Sequence, residues 1–102
     1  MSGKFANKVS RSLTLNGVGA IPAASKGISG NLTIIGPTSD GYAFISPNPV
    51  ASPTSSTVNT NTAVNCANGF DVGTSGGKVA IIWAGTTGST TNLQLVVTGY
   101  WK

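Results

Sequence analysis

Apolar and polar residues alternate along much of the chain, and turn-forming residues interrupt the alternation at short intervals. The segment 9–15 alternates strictly, and Asn16-Gly17 ends it. A period of two residues places the apolar side chains on one face of a half-buried strand, and Asn-Gly favours a tight turn. Further strands are predicted at 28–36, 42–46, 57–59, 78–83 and 92–101, and the segment 63–72 is predicted to contain one or two short strands interrupted by Asn68-Gly69. About seven to eight short strands separated by turns predict an all-β fold, a single small antiparallel β-sandwich or barrel.

Turn chemistry also predicts which of these segments pair. The tight connection 38–41 joins the strands 28–36 and 42–46, which predicts that these two strands form a hairpin. The segment 47–56 contains three prolines and is predicted to be a loop, because proline cannot donate to a strand ladder.

The chain lacks most of the side chains that carry out catalysis or bind metals. The chain has 102 residues with no His and no Glu, and its acids are Asp40 and Asp71. General acid–base catalysis near neutral pH relies on such groups, and a zinc site needs His or several Cys, whereas Cys66 is the single cysteine. Ser75 and Lys78 have the spacing of an acyl-transfer motif, but the intervening glycines indicate a turn. We therefore expect no enzyme, no cofactor and no metal.

Basic residues are concentrated near the N-terminus. Lys4, Lys8 and Arg11 lie within residues 1–12, in a chain of formal net charge +4. We expect residues 1–12 to form a basic N-terminal arm or a first strand, and residues 13–102 to form the β-sandwich domain. One interpretation is an arm that binds a negatively charged partner, and the alternative is a solvated terminus. The rest of the chain is nearly neutral, so we do not expect a nucleic-acid partner.

Large amphipathic aromatic residues are the other candidates for partner binding. Tyr42, Trp83 and Trp101 are candidates because exposed Tyr and Trp rings mark interfaces and stack on flat ligands such as sugars. The alternative for each ring is a place in the sandwich core. The candidate partner-binding residues are therefore Lys4, Lys8, Arg11, Tyr42, Trp83 and Trp101.

Several short phrases follow one another in order between residues 13 and 101, and together they suggest a family. They are 19–23 (Gly-Ala-Ile-Pro-Ala), 30–38 (Gly-Asn-Leu-Thr-Ile-Ile-Gly-Pro-Thr), 41–47 (Gly-Tyr-Ala-Phe-Ile-Ser-Pro), 56–59 (Ser-Thr-Val-Asn) and 99–101 (Gly-Tyr-Trp). This succession resembles a β-sandwich-like domain of secreted actinobacterial and related bacterial surface proteins. The resemblance implies a β-sandwich-like module in an extracellular setting and supplies no catalytic residues. The chain departs from the family at Val96, where an acidic residue is usual, and it lacks the arginine-rich opening motif.

The first hypothesis for function is a structural protein of a virion. No apolar stretch of signal-peptide length opens the chain and none is long enough to span a membrane. We interpret Met1 as the natural start of a chain that leaves the cell without a signal. With the basic arm and the scarcity of charge, this predicts a non-enzymatic structural or binding module on a virion surface, such as a capsid decoration, tail or fibre protein, acting through protein–protein packing.

The alternative hypothesis is a secreted bacterial cell-surface β-domain that binds carbohydrate and serves in adhesion, with its signal removed. In either setting we expect protein subunits as partners, in a homo-oligomer or a larger assembly, with a surface glycan as the alternative ligand. We expect no membrane insertion, and a location on a virion surface or outside the cell.

Overall fold

Eight β-strands form two antiparallel sheets of four strands each. The computed structural model describes residues 3–19, 21–50, 53 and 55–101; within these residues it contains no helix, and thus none long and apolar enough to cross a membrane. The predicted all-β class is confirmed, and residues 1, 2 and 102 of the predicted arm and domain lie outside the described residues. The strands are β1 (Phe5–Ala6), β2 (Arg11–Thr14), β3 (Gly27–Ile35), β4 (Gly41–Ser46), β5 (Val58–Thr60), β6 (Cys66–Gly73), β7 (Lys78–Ala84) and β8 (Thr90–Trp101).

The strand order is that of a jelly roll. Sheet I has the order β1-β8-β3-β6 and sheet II the order β2-β7-β4-β5. The chain therefore folds as one long antiparallel ribbon in which β1 pairs with β8, β2 with β7, β3 with β6 and β4 with β5. The ribbon wraps so that alternate pairs enter opposite sheets, which is the double-sheet arrangement that closes an antiparallel sandwich.

The predicted hairpin between the second and third predicted strands is wrong. β3 lies in sheet I and β4 in sheet II, so the connection 36–40 crosses from one sheet to the other. The Thr38 N–H donates to the carbonyl of Thr90 at 3.0 Å, and the Thr90 N–H donates to Thr38 Oγ1 at 2.8 Å. These bonds fix the connection against the start of β8. A turn-forming sequence specifies a reversal of the chain, but not which strand will be its partner.

The hydrophobic core lies between the two sheets. Its members with no exposed surface are Phe5, Ile28, Leu32, Ile34, Ala43, Val79, Ile81 and Trp83. β7 is buried on both faces, because Ile82 on the face opposite to Ile81 is only 2% exposed. This double burial explains why 79–84 reads as a continuous apolar run rather than as an alternation.

A β-bulge in the last strand sets the direction of the final side chains. β3 pairs with β8 so that Ser29 faces Gly99 but Gly30 faces Val97, which leaves Thr98 as the extra residue. Directly opposed residues of an antiparallel pair point to the same face. Tyr100, opposite the buried Ile28, therefore faces the space between the sheets, and the neighbouring Trp101 lies on the outer face of sheet I.

The N-terminal segment is built into the sandwich. β1 pairs with β8 in sheet I, and Phe5 has no exposed surface. The guanidinium of Arg11 lies 4.2 Å from the centroid of the Phe5 ring, and it donates to the backbone carbonyls of Gly3 (3.4 Å) and Lys4. The described part of the predicted arm thus contains the two-residue strand β1 and the start of β2, and Arg11 holds the residues at the start of β1 against the domain.

Replacing Arg11 with alanine is expected to lower the free energy of unfolding by about 1–2 kcal/mol, because it removes a partly buried cation–π contact and two hydrogen bonds. Arg11→Lys keeps the charge but not the planar fork, and it should lose about half as much stability. Urea denaturation measures both values, and hydrogen exchange at the Phe5 amide should accelerate in Arg11→Ala. Wild-type stability and exchange in Arg11→Ala would contradict this role.

Candidate functional site

The three basic candidates differ in what their side chains do. Lys4 and Lys8 are exposed, whereas Arg11 is half-buried and engaged with Phe5. Lys8 occupies the left-handed region with φ +59°, and its N–H donates to the carbonyl of Trp83 at 2.8 Å. Arg11 is therefore primarily a structural residue, while Lys4 and Lys8 remain accessible to a partner.

Trp83 does not lie on the surface, which corrects its place among the partner-binding candidates. It has no exposed surface, and its indole Nε1–H donates to Ser89 Oγ at 3.0 Å. A buried indole needs a partner for its N–H, and Ser89 in the β7–β8 connection provides it. Trp83 thus fills the core and fixes a loop, and its ring is inaccessible to a ligand.

Tyr42 is half-buried on the outer face of sheet II. Its hydroxyl donates to the carbonyl of Pro53 at 3.2 Å, which ties β4 to the proline-containing connection that follows it. Tyr42 and Pro53 line a shallow depression of about 230 Å³ together with Ser55, Ser56 and Asn59. The hydroxyl hydrogen of Tyr42 is thus already used within the chain, which leaves the ring and the acceptor side of the hydroxyl for a partner.

A more apolar surface lies where the end of β8 meets the connection between β2 and β3. We call it the apolar groove; it has a volume of about 320 Å³ and is lined by Val18, Ile21, Val97, Thr98, Gly99 and Tyr100. Val18 is 51% exposed and Tyr100 is 47% exposed. Ile21 and Val97 pack against the core at the base of the groove. An exposed apolar depression of this kind is typical of an interaction site.

The connection that forms one wall of the apolar groove is held by backbone bonds. The Gly17 N–H donates to the carbonyl of Ile21 at 2.9 Å, and the Val18 N–H donates to the carbonyl of Leu15 at 3.0 Å. Asn16 Nδ2 donates to the carbonyl of Ser25 at 2.7 Å. These bonds fix the backbone around Val18, so that its exposed side chain has a defined position.

Trp101 is accessible, as its place among the candidates requires, and it stands on the opposite side of β8 from the apolar groove. Trp101 is 40% exposed, and its ring lies directly over Gly27, where a Cβ would approach the indole to 1.9 Å. The Lys26 N–H donates to the carbonyl of Trp101 at 2.8 Å, and Ser25 Oγ donates to the same carbonyl at 3.2 Å. The ring therefore stands on a strand end whose position is fixed.

The two carboxylates have separate local partners. Asp40 Oδ1 accepts from the Thr62 N–H at 2.7 Å, and Asp71 Oδ1 accepts from Ser29 Oγ at 2.5 Å. Within the described residues, no three His, Cys, Asp or Glu side chains are grouped as metal ligands would be. Asp40 fixes a connection between strands, whereas Asp71 is exposed on the outer face of sheet I.

The sequence-based candidates included none of the six residues that line the apolar groove. Val18 follows an Asn-Gly turn signal, and an apolar side chain in a turn is a weak sign of an exposed contact. By alternation Tyr100 would face outward with Gln94 and Val96, but the bulge at Thr98 turns it toward the inner face. Sequence alternation alone does not reveal a bulge.

Comparisons of the chain with protein-family models, with curated proteins and with solved structures found no match. The resemblance to a domain of secreted bacterial surface proteins therefore stays a prediction. What the protein does is inferred from the geometry of its own surfaces.

Proposed function

We propose that this protein is a non-enzymatic structural and binding module of a virion surface or another extracellular surface, and that it acts by packing against other protein subunits. The observation that carries the proposal is the apolar groove, where Val18 and Tyr100 are about half exposed beside Ile21 and Val97, which pack against the core. Covering these side chains releases water from apolar surface, which is the main driving force of subunit association.

The low charge of the surface supports the same function. Only 8% of the residues are charged, so few ionic groups must be desolvated when a partner covers the domain. Lys4 and Lys8 lie beside the start of β8, whereas the apolar groove lies at its end, and none of the six residues that line the groove is charged. The jelly-roll strand order adds an analogy of fold alone, since capsid and lectin domains use it.

The test is whether the groove drives association of the purified chain, for which a second copy is the first partner to examine. Wild-type protein is expected to self-associate reversibly in sedimentation-velocity experiments across a range of concentrations. Val18→Asp is expected to weaken association at least about tenfold, because it places a charge in the apolar contact.

Val64→Asp is the matched control for this test. Val64 is 46% exposed in the β5–β6 connection, away from the groove, so the same change in charge there should leave association unaltered. Equal weakening by both substitutions, or a wild-type chain that stays monomeric at all concentrations, would contradict packing of copies through the groove.

The second candidate function is carbohydrate binding by a secreted bacterial cell-surface domain. The observation that favours it is the exposed ring of Trp101 on the outer face of sheet I. This surface lies on the outer face of sheet I and meets the apolar groove only at Gly99, so one domain can carry both properties.

A further inference from the structure

We propose that the outer face of sheet I carries a binding site for one pyranose ring of a neutral glycan, formed by Trp101, Gly99 and the Ser29–Asp71 pair. We call this surface the Trp101 notch. The inference rests on the second candidate function and specifies its site and ligand class, while packing through the apolar groove does not depend on it.

The platform of the notch is the indole of Trp101. One face of the ring rests on the backbone at Gly27, since a Cβ on Gly27 would come within 2.4 Å of three ring carbons. Only glycine allows the ring to lie flat on the strand at this position. Since Trp101 is 40% exposed and Gly27 covers one side of its ring, we infer that the other side is available to a ligand. A flat aromatic face held in this way is suited to the apolar C–H face of a sugar ring.

The floor of the notch is Gly99. It lies opposite Ser29 in the β3–β8 pair, on the same face as Trp101, and a Cβ built there has no other atom within 4 Å. The missing side chain leaves room between the Trp101 ring and the neighbouring polar groups. Gly99 does not have a positive φ, so its backbone conformation does not require glycine. The backbone therefore tolerates a larger residue at position 99, and its side chain would fill the open space.

The polar side of the notch is the Ser29–Asp71 pair. Ser29 Oγ donates to Asp71 Oδ1 at 2.5 Å, which orients the carboxylate across two strands. Asp71 is exposed, and an ionised carboxylate offers about four acceptor positions, of which the bond from Ser29 occupies one. Sugar hydroxyl groups can donate hydrogen bonds to the remaining acceptor positions of this carboxylate.

The distance between the Trp101 indole and the Asp71 carboxylate suits one sugar ring. The Trp101 indole lies over Gly27 on β3, and Asp71 is on the adjacent strand β6, two residues further along. Strands about 4.8 Å apart and a two-residue rise of about 6.7 Å place the two backbone positions on the order of 8 Å apart. One sugar ring can stack on the indole while its hydroxyls reach the carboxylate. An acidic sugar would bring its own charge close to Asp71, which favours a neutral ring.

The experiment is a titration with four defined probes: cellohexaose, maltohexaose, xylohexaose and N-acetylchitohexaose. Binding is followed by intrinsic tryptophan fluorescence and by saturation-transfer NMR on the sugar. Trp83 is fully buried and Trp101 is exposed, so a ligand at the notch should shift the emission of Trp101. At least one probe is expected to give a saturable signal.

Two variants separate the notch from the rest of the surface. Trp101→Ala removes the platform and Gly99→Val fills the floor, and each is expected to weaken binding by about tenfold or more. Gly99 also lines the apolar groove whereas Trp101 does not, so the loss in Trp101→Ala is the one that assigns binding to the notch. Gln94→Val is the matched control because it adds valine to the same face of β8, five residues and roughly 16 Å away, and it should bind like wild type. Emission from Trp83 and the urea midpoint report whether each variant is folded.

The outcomes separate this inference from the packing function. Absence of a saturable signal with all four probes, or binding that survives both Trp101→Ala and Gly99→Val, would overturn the Trp101 notch. Neither result alters the association expected through the apolar groove. Conversely, Val18→Asp should leave sugar binding at the wild-type value, since Val18 does not line the notch.

Discussion

Trp83→Ala is expected to lower the free energy of unfolding by about 3–5 kcal/mol, which is the usual loss when a large buried ring is removed. Trp83 has no exposed surface and lies in the core between the sheets. A chain of 102 residues has a total stability on the order of 5–15 kcal/mol. The loss is therefore a large share of the total stability, and the variant should unfold at a much lower urea concentration than wild type. Urea denaturation followed by circular dichroism measures the change without relying on Trp83 fluorescence.

Trp83→Phe is the control that separates the volume of the ring from its hydrogen bond. Phenylalanine retains most of the apolar volume but cannot donate to Ser89 Oγ, which accepts from the indole at 3.0 Å. The expected loss is about 1–2 kcal/mol, much less than for alanine. If Trp83→Ala were as stable as wild type, the ring would not be part of the core. If both variants lost the same amount, the Ser89 bond rather than the volume would determine stability.

Local pattern predicted the class of the fold because strands and turns are decided over short distances. The alternation at 9–15 corresponds to β2, and the apolar run 78–83 lies within β7. Pairing was less accessible, because partners in a jelly roll are distant in sequence: Phe5 of β1 faces Thr91 of β8. A two-residue strand such as β1 carries no period at all, so only its tertiary contacts reveal it.

The same limit applies to the candidate sites. Composition identified the tryptophans as important, but Trp83 and Trp101 occupy opposite environments, 0% and 40% exposed. Their local sequences do not distinguish them, because exposure depends on what packs against each ring. At Trp101 the deciding neighbours are Gly27 and Gly99, which are remote in the chain from one another. The surface could therefore be recognised only when the register of β3 and β8 was established.

Gly30→Ala is expected to lower the free energy of unfolding by about 3 kcal/mol, at the upper end of the range for an overpacked buried site. Gly30 is buried in β3 next to the bulge, and a Cβ there would lie 2.0 Å from the carbonyl oxygen of Val96. The obstacle is backbone, so no side-chain rotation relieves the contact. Either β3 and β8 separate or the bulge at Thr98 rearranges, and both weaken the central pair of sheet I.

Gly69→Ala is the matched control, with the same chemical change on the neighbouring strand β6. A Cβ on Gly69 would have its nearest contacts at 3.7 Å, an ordinary van der Waals distance. Alanine there should be neutral or stabilise the fold by up to about 1 kcal/mol, because it restricts the unfolded chain. Urea midpoints of the two variants compare them directly. Equal stability of Gly30→Ala and Gly69→Ala would mean that β3 and β8 do not approach each other closely at the bulge. The outward placement of Trp101 follows from the register at the bulge, so that placement would then be wrong as well.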